Sequence, residues 1–315
     1  MKHLFVINPA AGKGKGKEIA MSFIEKGIAG REIDYEIYVS KSSKDADEHI
    51  KKCIGENEKL RVYACGGDGT IFDIANSIYG YDNVEFAVVP LGSGNDFIRL
   101  FGTKEQFRDV GAQIDADAIE IDAIKCGDKI AVNQCSMGMD AEVCAKQSDF
   151  KKMPIFTGES AYTASLLYCL WTKRKNHFII TVDDGEPMEK DVVFAVAGNS
   201  RFYGGGYMAV PYAVPDDGLL DFSIIETMNI PLLLTRIGKY KKGLHYSWNE
   251  TTYLRGKKIN IKSVVPAAVN IDGECEIGTE KTFEIVPKAF KFVVPTTSTY
   301  IKDRESGIIS DQIGK

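Results

Sequence analysis

Hydrophobic and polar positions in the first third of the chain alternate between two periods. Short apolar runs predict strands at Leu4–Asn8, Tyr35–Val39, Leu60–Cys65 and Glu85–Pro90. Between them, apolar residues recur every three or four positions. That spacing predicts helices over Lys17–Ile28, over the charged segment Lys44–Ile54, and over 70–79, where Ile71, Ile74, Ala75 and Ile78 make one stripe. Strand–helix alternation of this kind implies a parallel sheet covered on both faces. Ligands of such sheets gather at the carboxyl ends of the strands.

Near residue 120 the rhythm changes. Strand-like segments are predicted at Lys129–Ser136, Phe178–Val182, Asp191–Val196, Leu219–Ile225 and Tyr253–Ile261, with turn signals such as Asp184-Gly185 between them. This reads as a second, largely antiparallel domain. Two helices interrupt it, Ser160–Lys175 and about Pro231–Gly243. Both end in basic residues, which suits the negative end of the helix dipole.

A length of 315 residues fits about two domains. With 44% hydrophobic and 26% charged residues, the balance is that of an ordinary soluble globular protein. No apolar stretch approaches the roughly 20 residues of a membrane span. The start of the chain is too short and too soon glycine-rich for a secretory signal. The formal net charge of −5 argues against broad nucleic-acid binding. Seven cysteines form no C-x-x-C pair and read as reduced core residues of a cytoplasmic protein. Four histidines are scattered without metal spacing and read as structural or surface residues.

The candidate chemistry lies in turns that follow strands. Cys65-Gly66-Gly67-Asp68-Gly69-Thr70 joins a strand to a helix. Its glycines let backbone N–H groups approach an anion, and the helix end adds positive potential. Asp68 there can hold Mg²⁺ or order the loop. Asn8-Pro9-Ala10-Ala11-Gly12-Lys13-Gly14-Lys15-Gly16 follows the first strand and suits polyphosphate without matching a Walker A loop. Pro90-Leu91-Gly92-Ser93-Gly94-Asn95-Asp96-Phe97 follows the fourth. Together the three turns would form one rim able to hold a nucleotide. Pro215-Asp216-Asp217-Gly218-Leu219-Leu220-Asp221 offers carboxylates and carbonyls to a hard cation, or is a hairpin turn. Asp272-Gly273-Glu274 sits at a strand end. If extended, it would point both carboxylates one way.

The ordered set NPAAGKGKG at 8–16, GGDGT at 66–70, PLGSGNDF at 90–97, PDDGLLD at 215–221 and DGE at 272–274 resembles the soluble diacylglycerol-kinase-like lipid kinases of bacteria. The resemblance spans most of the chain. It implies an α/β N-terminal nucleotide-binding domain with a parallel sheet and a mainly antiparallel, β-sandwich-like lipid-substrate domain. It also implies that the chain end returns to the first domain, giving bounds of 1–122 with 292–315 and 123–291. It implies an ATP- and Mg²⁺-dependent enzyme that phosphorylates a lipid hydroxyl, most often diacylglycerol. ATP contacts carry over to Asn8, Pro9, Ala10, Ala11, Gly12, Ser40, Gly66, Gly67, Asp68, Gly69, Thr70, Ile71, Phe72 and Ser93, with Asn95 and Asp96 beside them. Asp73 stands where relatives often have glutamate. A structural metal would be held by Asp217 with the carbonyls of Val214 and Leu219. The base would be Asp272 or Glu274, with Asp68 as a further catalytic group.

The expected partner is a lipid at a membrane surface, met transiently by a cytoplasmic protein through the 160–175 helix and Lys151-Lys152. No nucleic acid is expected, and a homodimer is compatible with the sequence. Two other readings are a NAD-kinase-like enzyme on a soluble substrate and a nucleotide-binding regulator without catalysis. PDDGLLD speaks against the first and the intact DGE against the second.

Overall fold

The computed structural model describes residues 1–151, 164–165, 168–169, 171–172 and 175–312, apart from the side chains of 147–151. Four strands, β1 (Lys2–Ile7), β2 (Asp34–Val39), β3 (Leu60–Gly66) and β4 (Val84–Pro90), pair in parallel in the order β4-β3-β1-β2. Their side chains alternate between two cores. Leu4, Val6, Val62, Ala64, Phe86 and Val88 face the helices Ser43–Glu56 and Asp68–Ile78. Phe5, Ile7, Tyr63, Cys65, Ala87 and Val89 face the helix Gly16–Ile28. Burial on both faces is why these strands read as unbroken apolar runs.

Register aligns the strand ends. Ile7 pairs with Cys65, and Gly66 pairs with Pro90. The three glycine-rich turns therefore emerge side by side at one edge.

The second half adds β5 (Ala118–Cys126), β6 (Lys129–Ala131), β7 (Gln134–Gly138), β8 (Asn176–Val182), β9 (Met188–Gly198), the short pair β10 (Phe202–Tyr203) and β11 (Tyr207–Met208), β12 (Leu220–Glu226), β13 (Thr251–Gly256), β14 (Lys258–Ile271) and β15 (Glu274–Val293). Their pairings are antiparallel, except that β15 also runs parallel to β4 at Lys291 and Phe292. The 20-residue β15 thus begins beside the DGE turn and ends in the first core. There Phe292 packs against Phe86, Phe97, Phe101 and Phe107, and Tyr300 packs on Phe101.

Two expected strands are each divided. Lys129–Ser136 splits into β6 and β7 because the N–H groups of Val132 and Asn133 turn to the Asp272 carboxylate. Tyr253–Ile261 splits at Lys257, where Asp183 accepts from the N–H groups of Lys257 and Lys258. The helix expected at Pro231–Gly243 forms over Ile230–Lys241, capped by the Asn229 side chain. PLGSGNDF leads into a 3₁₀ turn, Phe97–Leu100. The expected Ser160–Lys175 helix lies largely outside the described residues, as do Lys152 and the side chain of Lys151. Among the described residues no helix is long and apolar enough to cross a membrane.

Candidate active site

The glycine turns are tied to one another before any ligand is considered. Asp68, on the first turn of its helix, accepts from the backbone N–H of Asn95 (2.8 Å) and of Asp96 (2.8 Å). It orders the neighbouring loop, the second of the two roles expected for it. Burial and the nearby Asp96 charge raise its carboxyl above the ordinary range. Asn95 is fully buried in a left-handed conformation, and its amide donates to the Gly66 carbonyl (3.1 Å). It joins two turns from within the protein interior. A Cβ on Gly92 would lie 2.7 Å from the Gly67 Cα, so only glycine allows these turns to meet.

The first turn is held similarly. The Asn8 amide donates to the Thr70 hydroxyl (3.0 Å), and its carbonyl accepts from the Ala10 N–H (3.0 Å). Ser40 donates to the Ile7 carbonyl from both its hydroxyl (3.2 Å) and its N–H (3.0 Å). Ser43 donates to Asp73. Lys104 is a member that sequence reasoning missed. Its ammonium bridges the Gly92 (3.0 Å) and Ser93 (2.6 Å) carbonyls, which fixes the third turn. Phe72 points away from the rim into the core of the antiparallel half.

Asp272 faces this rim from the other half. It occupies a two-residue hairpin turn with Gly273, both at positive φ, and Ile271 pairs with Glu274 across it. The turn breaks the extended geometry that would have aligned the two carboxylates. Asp272 accepts from the N–H groups of Val132 (2.6 Å), Asn133 (3.1 Å) and Gln134 (2.7 Å). Burial pushes its carboxyl up to about 7 despite those bonds, and the Asp68 charge adds to the rise. Glu274 is exposed and outside the cleft lining.

Asp68, Asp96, Ser93 and Asp272 line one cleft of about 1220 Å³. Away from the rim it is walled by Val143, Phe194, Leu233, Ile237, Tyr240 and Trp248, with Arg236 and Lys241 among them. The Gly205 N–H donates to Asp96 (2.7 Å), so the two halves also touch directly across it.

A model of the diacylglycerol kinase catalytic domain matches residues 2–126, and one of the YegS C-terminal NAD kinase beta sandwich-like domain matches 133–294. The chain belongs to the diacylglycerol-kinase-like lipid kinases. A "Probable lipid kinase YegS-like" of Shewanella frigidimarina is 29% identical over 90% of this chain and 91% of its own. One of that description from Pseudomonas syringae is 26% identical over 90% of both. The crystal structure of a diacylglycerol kinase from Bacillus anthracis str. Sterne superposes with a TM-score of 0.69 at 22% identity, covering 93% of this chain and 96% of that one. Another Bacillus anthracis structure superposes at 0.75 with 24% identity, covering 93% and 95%. These likenesses carry the fold. The enzyme class rests on the family.

In this lipid kinase, the PDDGLLD turn does not offer the open carboxylate that a resident metal takes. One oxygen of Asp217 accepts from the Leu219 N–H (3.0 Å), and the other is ion-paired with Arg255. The same guanidinium reaches Asp221 (3.3 Å) and Asp311 (3.5 Å). Val214 is buried. At the position where a metal was expected on Asp217 with Val214 and Leu219, Arg255 supplies the positive charge. Asp122 accepts from the N–H groups of Gly218 (2.7 Å) and Lys288 (2.8 Å), which fastens the turn to β5 and β15. Asp216 pairs with Arg304 (2.6 Å), and the Arg201 guanidinium donates to the Ser310 carbonyl (2.8 Å). The chain end is thereby bound to the second half. Neither Asp122 nor Arg255 carries a local sequence signal.

Proposed function

We propose that this kinase transfers the γ-phosphoryl group of ATP, which arrives with its Mg²⁺, to the primary hydroxyl of diacylglycerol, giving phosphatidic acid. The observation that carries the reading is the placement of Asp272. A carboxylate held near 7 faces a phosphate-suited glycine rim across one cleft that continues between aliphatic and aromatic side chains.

Phosphoryl transfer asks the protein for positioning and charge stabilisation more than for covalent chemistry. The backbone N–H groups of the Gly66–Thr70 turn and the amino end of its helix would bind the phosphates. The Mg²⁺ supplies charge neutralisation when bound. Asp272 is the base. It accepts the hydroxyl proton as the lipid oxygen bonds to phosphorus and ADP departs. Glu274, exposed outside the cleft, is assigned no proton transfer. The aliphatic and aromatic walls away from the rim take the start of the acyl chains, a feature that favours a lipid over NAD. The enzyme acts at membrane surfaces.

Purified protein with labelled ATP should be offered a lipid panel in mixed micelles, with NAD as control. Transfer to diacylglycerol, or to another lipid hydroxyl, with none to NAD is expected. Transfer to NAD alone overturns the lipid reading, and no transfer to any acceptor favours the non-catalytic one.

A further inference from the structure

We propose that Glu36, His49 and Cys53 form a binding site for zinc, or for a divalent ion of similar softness, on the edge of the first domain and apart from the cleft. His49 and Cys53 lie one turn apart on the helix Ser43–Glu56, so both face the edge strand β2, where Glu36 stands. Among the described residues this is the one group of three or more His, Cys, Asp or Glu side chains whose ligating atoms all lie within 4.8 Å of one another. Carboxylate, imidazole and thiol are the three donor types that zinc takes from proteins. The sequence hides the set, since H-x₃-C shows no metal pattern without the glutamate 13 residues earlier on another element.

The spacings suit a tetrahedral ion. Bond lengths of about 2.0–2.3 Å at tetrahedral angles put ligand atoms about 3.4–3.6 Å apart. Cys53 Sγ lies 3.6 Å from His49 Nε2 and 3.9 Å from Glu36 Oε2. His49 Nε2 and Glu36 Oε1 are 2.6 Å apart, joined by a hydrogen bond. To seat an ion between them, the carboxylate must withdraw by roughly 0.8 Å, and the imidazole must carry its proton on Nδ1, leaving the Nε2 lone pair for the metal. Stacking of the His49 ring on Tyr38, at 3.7 Å and 4°, keeps Nε2 aimed at this point. Such orientation of a ligating imidazole is what a site needs around its ligands.

Charge balances: one thiolate and one carboxylate neutralise a doubly charged ion. Binding exchanges the Cys53 thiol proton for the metal and releases it to solvent, so it tightens as pH rises. The Lys2 ammonium, 2.7 Å from Glu36 Oε2, competes for the same carboxylate. Removing it should strengthen metal binding, whereas a plain ion-pair cluster would only lose a partner.

The test is a Co²⁺ titration of the full-length protein after chelator treatment and desalting, followed by Zn²⁺. One equivalent of Co²⁺ should produce the near-ultraviolet thiolate-to-cobalt band and the visible bands of a tetrahedral ion. Zn²⁺ should abolish both. Cys53→Ser should lose the thiolate band, His49→Ala should bind at least about tenfold more weakly, and Lys2→Met should bind more tightly. Cys144→Ser, a change at a half-exposed thiol elsewhere, should behave as the parent. Circular dichroism of each variant separates lost binding from lost folding. No spectral change in the parent, or a thiolate band that persists in Cys53→Ser, overturns the proposal.

Discussion

Asp68 and Asp272 look alike in sequence, each a carboxylate beside a glycine in a turn, yet their surroundings give them different work. Asp68 commits its two oxygens to the N–H groups of Asn95 and Asp96. Replacing it by alanine leaves two buried donors unpaired, at about 1–3 kcal/mol each. Asp68→Ala should therefore raise KM for ATP and lower stability together, which ATP titrations and denaturant unfolding will report. Asp272 also meets N–H groups, but its burial dominates and holds it near 7. A base must be ionised to accept a proton, so kcat/KM should fall below about pH 7, by about tenfold per unit. The stability sign is the reverse. The folded value lies above the ordinary 3.8, so ionisation opposes folding, and the parent should lose stability as pH rises from 3.8 to about 7. Urea melts across that range should show a shallower decline for Asp272→Asn. Equal slopes in parent and variant would contradict the buried placement.

The helices and parallel strands of the first half were legible because both faces of the sheet are buried, which writes apolar runs and helical stripes directly into the sequence. The division of Lys129–Ser136 was not, because its cause, the Asp272 carboxylate, stands about 140 residues away. β15 was missed for a related reason. Most of its length is half-buried or exposed, with charges on both faces, so no two-residue period marks it. At the rim, the contact that matters is backbone against backbone. Gly92→Ala would set its Cβ 2.7 Å from the Gly67 Cα and push the third turn off the second. ATP affinity should drop by at least about tenfold, on the order of 1.4 kcal/mol. Isothermal titration with a non-hydrolysable ATP analogue will show it, and unchanged affinity would mean that the two turns do not act as one site.

Across the whole molecule, the chain end links the halves. After β15 joins the first core, Arg304, Arg201 and Arg255 tie residues 304–311 to the PDDGLLD turn and its neighbours. The turn's motif was readable, but its partner was not, since Arg255 lies 38 residues from Asp217 and joins it only through strand pairing. Asp217→Asn should cost about 1–3 kcal/mol in denaturant unfolding, because a part-buried guanidinium loses a charged partner. Chelator should leave the melting temperature of Cys53→Ser, in which the edge-strand metal site is removed, unchanged. A Cys53→Ser protein that melts lower in chelator would show that an ion, and not Arg255, holds the turn.

The central claim is that Asp272 is the base acting across the cleft from a separate nucleotide rim. The most direct measurement is steady-state kinetics of Asp272→Asn and the parent on diacylglycerol in mixed micelles, with ATP varied. The variant keeps the shape and loses the charge. Its kcat should fall by about 10²–10⁴-fold while KM for ATP stays within about twofold. Turnover equal to the parent's would contradict the account.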